Sequence, residues 1–356
     1  MTAMGKSKDD IILQQMEVIR SLTENNLSRM NTDFWGTPKP AAPAKTGGPV
    51  SRPYDSPDTA PVGAAHPGAP QPPSPKEEET APPPENINDL VAELDAYIGL
   101  GSIKREVKDL INMVKVHKLR AENGLPTEDL SLHMVFSGNP GTGKTTVARI
   151  MARIYHSLGI LSKGQLIEVD RSGLVAGYVG QTALKTKKVI DKALGGVLFI
   201  DEAYALNGGG DNDFGQEAID TILKAMEDHR DDLVVIVAGY TDLMQDFIHS
   251  NPGLESRFNR FLEFEDYTLE EMLGIFRMRC EKGKYTLAPD AEEAVKQFIT
   301  EENTHPETFG NARGVRNLFE KVLIQQSNRL AGMETVTKED LMGLTKEDIQ
   351  AAREAD

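Results

Sequence analysis

Nine consecutive residues, Gly138-Asn139-Pro140-Gly141-Thr142-Gly143-Lys144-Thr145-Thr146, satisfy the pattern G-x-x-x-x-G-K-[ST] without deviation. Glycines at these positions let the backbone turn so that successive N–H groups point at anionic oxygens. A helix starting at the end of the loop adds partial positive charge at the same place. Lys144 is expected to reach the β- and γ-phosphates of a nucleoside triphosphate, and the Thr145 hydroxyl to ligate Mg²⁺. Pro140, Gly141, Thr142, Gly143 and Thr146 complete the expected cradle. A second run, Gly195-Gly196-Val197-Leu198-Phe199-Ile200-Asp201-Glu202, ends four apolar residues in two carboxylates. Ligands of open α/β sheets gather outside the carboxyl ends of the strands. Asp201 is expected to hold Mg²⁺, and Glu202 to orient and deprotonate an attacking water. Alone, an Asp-Glu pair at a strand end is a common solvated feature. Together with the glycine loop roughly 60 residues upstream, it is specific for nucleoside triphosphate hydrolysis.

That chemistry needs a strand before the loop and a helix after it. Met134-Val135-Phe136 is an apolar run, and Val147 to Ile154 has a helical pattern. Further strands are expected at Leu132–Phe136, Leu166–Val169, Val197–Ile200, Leu233–Ala238 and Phe261–Phe264, mostly separated by helices. Short, almost wholly apolar strands alternating with helices indicate an α/β fold whose five-stranded, mainly parallel sheet is covered on both faces. Upstream, Leu90, Leu94 and Ile98 form one helical face, and Val107 to Leu119 reads as a second helix. From Thr268 onward the pattern is helical, over Leu269–Lys282, Asp290–Glu302, Val315–Gly332 and Lys338–Ala352. This predicts a nucleotide-binding domain over 87–267 and a smaller helical domain over 268–356.

The region before the body is different in kind. Fifteen of the 20 prolines fall between Pro38 and Pro84, mixed with Ala, Gly and Ser. Such a segment cannot bury enough apolar surface to offset its ordering entropy, so residues 37–86 are expected to form an extended, disordered tether. Residues 1–36 include Ile12, Met16, Ile19, Leu27 and Met30 at near-helical spacing, with Trp35 at the end. An amphipathic helix on a long tether is a candidate docking element for a partner. A helix that folds back on its own body fits the same pattern.

The 356 residues carry 55 acidic against 39 basic side chains, a net charge of −16. This argues against duplex DNA or an anionic membrane as the main partner, since both favour basic surfaces. One cysteine, Cys280, excludes an internal disulfide framework and fits a reducing compartment. No apolar run reaches about 18 residues, which predicts no membrane span. Met1 to Asp10 lacks the apolar core of a secretory signal, so the expected location is the cytoplasm. His117, His156, His229 and His305 show no metal-ligand spacing. Lys185, Lys188 and Lys192 share one face of an expected helix, most simply a solvated one.

The two motifs, their spacing and the helical C-terminal part resemble an AAA+ ATPase of the CbbX and stage V sporulation protein K type. The run Gly-Gly-Val-Leu-Phe-Ile-Asp-Glu-Ala-Tyr-Ala-Leu at 195–206 carries much of that resemblance, which covers about residues 86–352. It implies a homo-hexameric ring with ATP and Mg²⁺ bound between neighbours. Ile98-Gly99 resembles the segment that lines the adenine. Asn251-Pro252-Gly253-Leu254-Glu255-Ser256-Arg257-Phe258-Asn259-Arg260 resembles the arginine-finger segment, with Arg257 the first choice and Arg260 the second. Gly310-Asn311-Ala312-Arg313-Gly314-Val315-Arg316 resembles the sensor-2 segment, in which Arg313 would meet the γ-phosphate. At the sensor-1 position, where many relatives have Asn or Thr, this chain reads Ala238-Gly239-Tyr240-Thr241-Asp242, so the Tyr240 or Thr241 hydroxyl would substitute. Leu174-Val175-Ala176-Gly177-Tyr178-Val179-Gly180 resembles a pore loop, with Tyr178 and Val179 facing the channel and a second loop over Asn207–Phe214. The resemblance implies a motor that remodels or threads a protein client. A DNA-linked loader and a nucleotide-dependent assembly scaffold with weak hydrolysis are the rival readings.

Overall fold

A computed structural model describes residues 82–128, 130–178, 180–208 and 214–355. The docking helix and nearly all of the proline-rich tether expected from the sequence lie outside the described residues, as do Val179 and residues 209–213 of the expected second loop. Helices α1 (Ile87–Ala96) and α2 (Gly101–Glu122) precede the sheet. The α/β unit follows as β1 (Met134–Gly138), α3 (Lys144–Ser157), β2 (Leu166–Val169), the short α4 (Arg171–Leu174), α5 (Thr182–Ala193) and β3 (Val197–Ile200). It continues through a 3₁₀ turn (Ala203–Asn207), α6 (Gly215–Asp228), β4 (Val234–Gly239), α7 (Thr241–His249), α8 (Pro252–Arg257) and β5 (Arg260–Phe264). The lid comprises α9 (Leu269–Gly283), β6 (Thr286–Leu287), α10 (Pro289–Glu302), α11 (Pro306–Phe309), α12 (Ala312–Ala331), α13 (Lys338–Met342), β7 (Gly343–Leu344) and α14 (Lys346–Glu354).

The main sheet is wholly parallel, in the order β2-β3-β4-β1-β5. Its central strands are buried at every position. Alternate side chains enter different cores, as the two-residue period of a strand requires. Met134 and Phe136 of β1, Val197 and Phe199 of β3, and Val234, Ile236 and Ala238 of β4 face one cluster. Val135, Leu198, Ile200, Val235 and Val237 face the other. The first cluster runs on into the lid through Met272, Phe276, Val315 and Phe319, with Phe276 and Phe319 ring centroids 5.4 Å apart. The lid is therefore packed against the sheet domain by apolar surface, not merely tethered to it.

Local chemistry sets where the lid helices begin. Thr268 accepts from the Glu271 N–H while Glu271 reaches back to the Thr268 N–H, a capping box that starts α9. Two predicted features differ from the structure. The single helix expected over Lys338–Ala352 is two helices, because Gly343–Leu344 leaves the helix to pair in parallel with Thr286–Leu287. Capping boxes at Thr337/Asp340 and Thr345/Asp348 start the two pieces separately. Ile98 lies beyond the end of α1, whose buried face is Leu90 and Leu94. No helix among the described residues is long and apolar enough to cross a membrane.

Candidate functional site

Strand β1 delivers the glycine loop to the carboxyl edge of the sheet, and β3, its neighbour but one, delivers Asp201 and Glu202 to the same edge. Between them opens a cavity of about 390 Å³, within the usual range for small-molecule sites. Its wall contains Pro140, Gly141, Gly143, Lys144, Thr145 and Thr146 from the loop and α3, Asp201 and Glu202 after β3, Tyr240 after β4, and Arg313 from the lid. Thr142 is fully buried behind the loop, where its hydroxyl donates to the Asn139 carbonyl at 2.8 Å. Gly141 and Gly143 have φ of 75° and 100°, a left-handed backbone that side-chain-bearing residues rarely adopt.

Lys144 is the electrostatic centre. Its ammonium donates to the Gly138 and Asn139 carbonyls at 2.7 and 2.8 Å. Burial pushes its pKa down to about 8; the Asp201 charge opposes this, Arg313 adds to it, and Asp266 also opposes it. An anionic phosphate arriving here stabilises the ammonium and raises that pKa. Binding then takes up a proton once pH exceeds the free-state value, while at pH 7 the lysine is already charged. ATP affinity is expected to fall about tenfold from pH 7 to pH 9, with uptake of about 0.9 proton at pH 9. Calorimetry at pH 9 in two buffers of different ionisation enthalpy measures this directly. Identical heats in the two buffers would contradict it.

Glu202 sits immediately after β3 with φ 48° and ψ 42°. That conformation costs a non-glycine residue about 1–3 kcal/mol and is held only where surroundings over-determine it. Here the Asp201 carboxylate accepts the Glu202 N–H at 3.1 Å, and the Glu202 carbonyl accepts from Ala205 N–H at 2.9 Å. The carboxylate is thereby turned to the cavity while remaining exposed to water.

The wall also includes three residues to which the sequence assigned no role: Arg149, Glu168 and Arg316. Arg149 lies four positions after Thr145 on one face of α3, pairs loosely with Glu168 at 3.9 Å, and has a buried Nε without a hydrogen-bond partner among the described residues. Arg316 is three positions after Arg313, on the same helix face, with its Nε on Glu320 at 2.8 Å. Helical spacing was the available signal for both, but only the lid's placement makes it point at a cavity. The donor set fits a magnesium nucleoside triphosphate. Lys144, Arg149, Arg313 and Arg316 suit phosphate oxygens, and the Thr145 hydroxyl and Asp201 carboxylate suit Mg²⁺. Among the described residues no group of three or more His, Cys, Asp or Glu could hold a metal alone. That is normal for Mg²⁺, which is bound through one or two side chains plus phosphates.

Other expected residues lie elsewhere. Ile98 and Gly99 do not line this cavity; Ile98 packs at Gly274, and Gly99 packs against Tyr267 and Glu271. Tyr267 in turn donates its hydroxyl to the Thr142 carbonyl at 3.2 Å, so it stands between that segment and the loop. Thr241 is the first residue of α7 and is not part of the wall, unlike Tyr240. Arg257 and Arg260 are also outside their own chain's cavity. Arg257 pairs with exposed Glu227 at 3.3 Å, and its Nε is buried without a hydrogen-bond partner among the described residues. Arg260 donates to the Ser131 carbonyl at 3.2 Å and contacts Met113 Sδ at 3.2 Å.

Tyr178 is 74% exposed, beyond a tightly held loop base. Lys185 donates to the Ser172 and Val175 carbonyls at 2.6 and 2.9 Å, and Thr186 to the Leu174 carbonyl at 3.2 Å. Lys185 is thus a brace for this base, while Lys188 and Lys192 are solvated.

The profile of the ATPase family associated with various cellular activities (AAA) matches residues 134–266, and the profile of the AAA lid domain matches 268–356. Stage V sporulation protein K of Bacillus subtilis is 42% identical over 271 residues, covering 76% of this chain and 84% of that one. The chloroplastic ribulose bisphosphate carboxylase/oxygenase activase of Cyanidioschyzon merolae is 45% identical, covering 76% and 92%. Protein CbbX of Cereibacter sphaeroides is 44% identical, covering 74% and 87%. A solved structure of a Thermotoga maritima RuvB variant shares the fold with a TM-score of 0.50 at 21% identity, covering 74% of this chain and 72% of that one.

Proposed function

Since this chain belongs to the AAA family of ATPases, in the group that includes stage V sporulation protein K and CbbX, we propose that it is an ATP-hydrolysing ring motor that remodels or threads a protein client. The observation that carries the reading is a convergence. Lys144, Thr145, Asp201 and Glu202 meet on one cavity wall, with Arg313 entering from the lid. In this reading Lys144 and Arg313 hold phosphate oxygens, and Thr145 and Asp201 hold Mg²⁺, which would screen the phosphate charge. Glu202 accepts a proton from the attacking water, and Arg257 reaches the cavity of a neighbouring protomer. A homo-hexamer supplies that neighbour.

Hydrolysis would be transmitted to the channel through the base of the Tyr178 loop. Arg171 in that base donates to the Ala205 carbonyl at 2.7 Å, in the turn that directly follows Glu202. An exposed aromatic at the tip can grip an extended polypeptide without reading its sequence. The net acidic surface favours this over a DNA-linked loader, and the intact Asp201-Glu202 pair favours it over a non-hydrolysing scaffold.

The test measures phosphate release with ATP and Mg²⁺, then its change when a permanently unfolded polypeptide is added. Wild-type protein is expected to turn over ATP and to respond to the polypeptide. Tyr178→Ala should keep basal turnover within about twofold and lose the response. If the variant loses basal turnover as well, the loop supports the fold instead. Absence of phosphate release from the wild type would defeat the motor reading as a whole.

A further inference from the structure

A polar cluster beside the cavity joins the glycine loop, the inter-domain connector and the lid. Asn311, the residue before α12, is wholly buried and has φ 53° and ψ −127°. A side chain holds such a backbone only against strain, and glycine is the residue that adopts it freely. The polar bonds of Asn311 account for its presence. Its Oδ1 accepts from the Tyr267 N–H at 2.9 Å, and its Nδ2 donates to Asp266 at 2.7 Å and to the Pro140 carbonyl at 3.4 Å. Asp266 also accepts from the Asn139 side chain at 3.0 and 2.9 Å, so one carboxylate ties the glycine loop to the lid. The backbones meet here too. A Cβ at Gly141 would lie 2.1 Å from the Gly310 carbonyl oxygen and 2.9 Å from the Arg313 nitrogen.

Building on the function proposed above, we propose that Asn311 is a positioning residue which, through Asp266 and Tyr267, fixes where Arg313 stands relative to the glycine loop. Asn311 does not line the cavity itself; it acts two residues upstream of a side chain that does. The apolar packing between lid and sheet domain is non-directional, so this buried amide supplies a directional link by which movement of Asn139 or Pro140 on nucleotide arrival is passed to α12. The strained backbone is retained because glycine would relieve the strain but drop all three bonds.

Asn311→Gly separates the two roles, since it keeps the backbone accessible and removes the amide. It is expected to lower kcat about tenfold at saturating ATP, and to change kcat by less than about twofold when added to Arg313→Ala. Equal losses in both backgrounds would mean a general structural effect and would overturn the proposal. The exchanged pair Asp266→Asn with Asn311→Asp restores a donor facing an acceptor between these two side chains, though not at the Pro140 carbonyl, and should recover part of the kcat lost in Asn311→Asp alone. No recovery would remove Asp266 from the assignment. A third measurement needs no hydrolysis. Spin labels at Lys188→Cys and Asn328→Cys report the distance between the sheet domain and the lid in the full chain. Asn311→Gly should broaden that distribution before ATP is added. An unchanged distribution would overturn the proposal, whether or not the wild type hydrolyses ATP, whereas a broadened one in a protein without turnover would fault only the motor reading.

Discussion

Glu202→Gln yields a protein that binds ATP and hydrolyses it about 10²–10⁴ times more slowly than wild type, the range associated with loss of a positioned general base. Glutamine has the same shape, so the strained backbone at this position (φ 48°) is neither relieved nor worsened. The bond from the residue-202 N–H to the Asp201 carboxylate is made by backbone and persists. Lys144, Thr145 and Arg313, which carry the nucleotide contacts in the proposed site, are untouched. What the amide cannot do is accept a proton from water. ATP retained on the protein through gel filtration, together with phosphate release, measures both halves of the expectation. Turnover near the wild-type rate would remove Glu202 from its role.

Arg257→Ala is the second large effect, and it tests the ring. A guanidinium brought to the transferring phosphate from outside its pocket contributes about 10³–10⁵ in rate in related enzymes, so a loss of about 10³ in kcat with little change in ATP affinity is expected. Arg257 is suited to leave its present contacts. Its ion pair with Glu227 is 3.3 Å long and on the surface, where such pairs contribute little. Arg260 instead donates into its own domain, at the Ser131 carbonyl, and opens the edge strand β5. Arg260→Ala should therefore show up mainly in thermal stability. The decisive experiment mixes two inactive proteins. A protomer with Arg257→Ala keeps Glu202, and one with Glu202→Gln keeps Arg257. At a seam between them one complete site forms, so the mixture should regain activity that neither has alone. A mixture as inactive as its components would place Arg257 in its own chain's chemistry or outside it.

The reach of sequence reasoning can be judged residue by residue. The glycine loop and the Asp201-Glu202 pair were legible because each is contiguous, and because apolar strands announce themselves over four or five residues. The lid's second half was less so. Lys338 to Ala352 has a continuous helical pattern, yet Gly343 and Leu344 are drawn out of it by pairing with Thr286 and Leu287, more than fifty residues earlier. A local period cannot report a distant partner that offers hydrogen bonds in exchange. Arg149 and Glu168 carried no motif at all, and Arg316 closed the sensor-2 segment without a role of its own. They became wall residues only because α3, β2 and α12 converge on one opening.

By itself the amino-acid order determined the class of chemistry, the parallel architecture and the division into sheet domain and lid. These depend on short-range rules: which residues permit a phosphate-binding turn, which runs are too apolar to stay in water, and which side chains start a helix. Tertiary structure alone decided that Arg149, Glu168 and Arg316 join Arg313 on the cavity wall, while Arg257 and Arg260 are not part of it. It also decided that Lys144 is buried enough to lose much of its basicity, and that Asn311 joins lid to loop through Asp266. Distances and desolvation set those properties, and both belong to residues far apart along the chain that come together only once the sheet and the lid have packed.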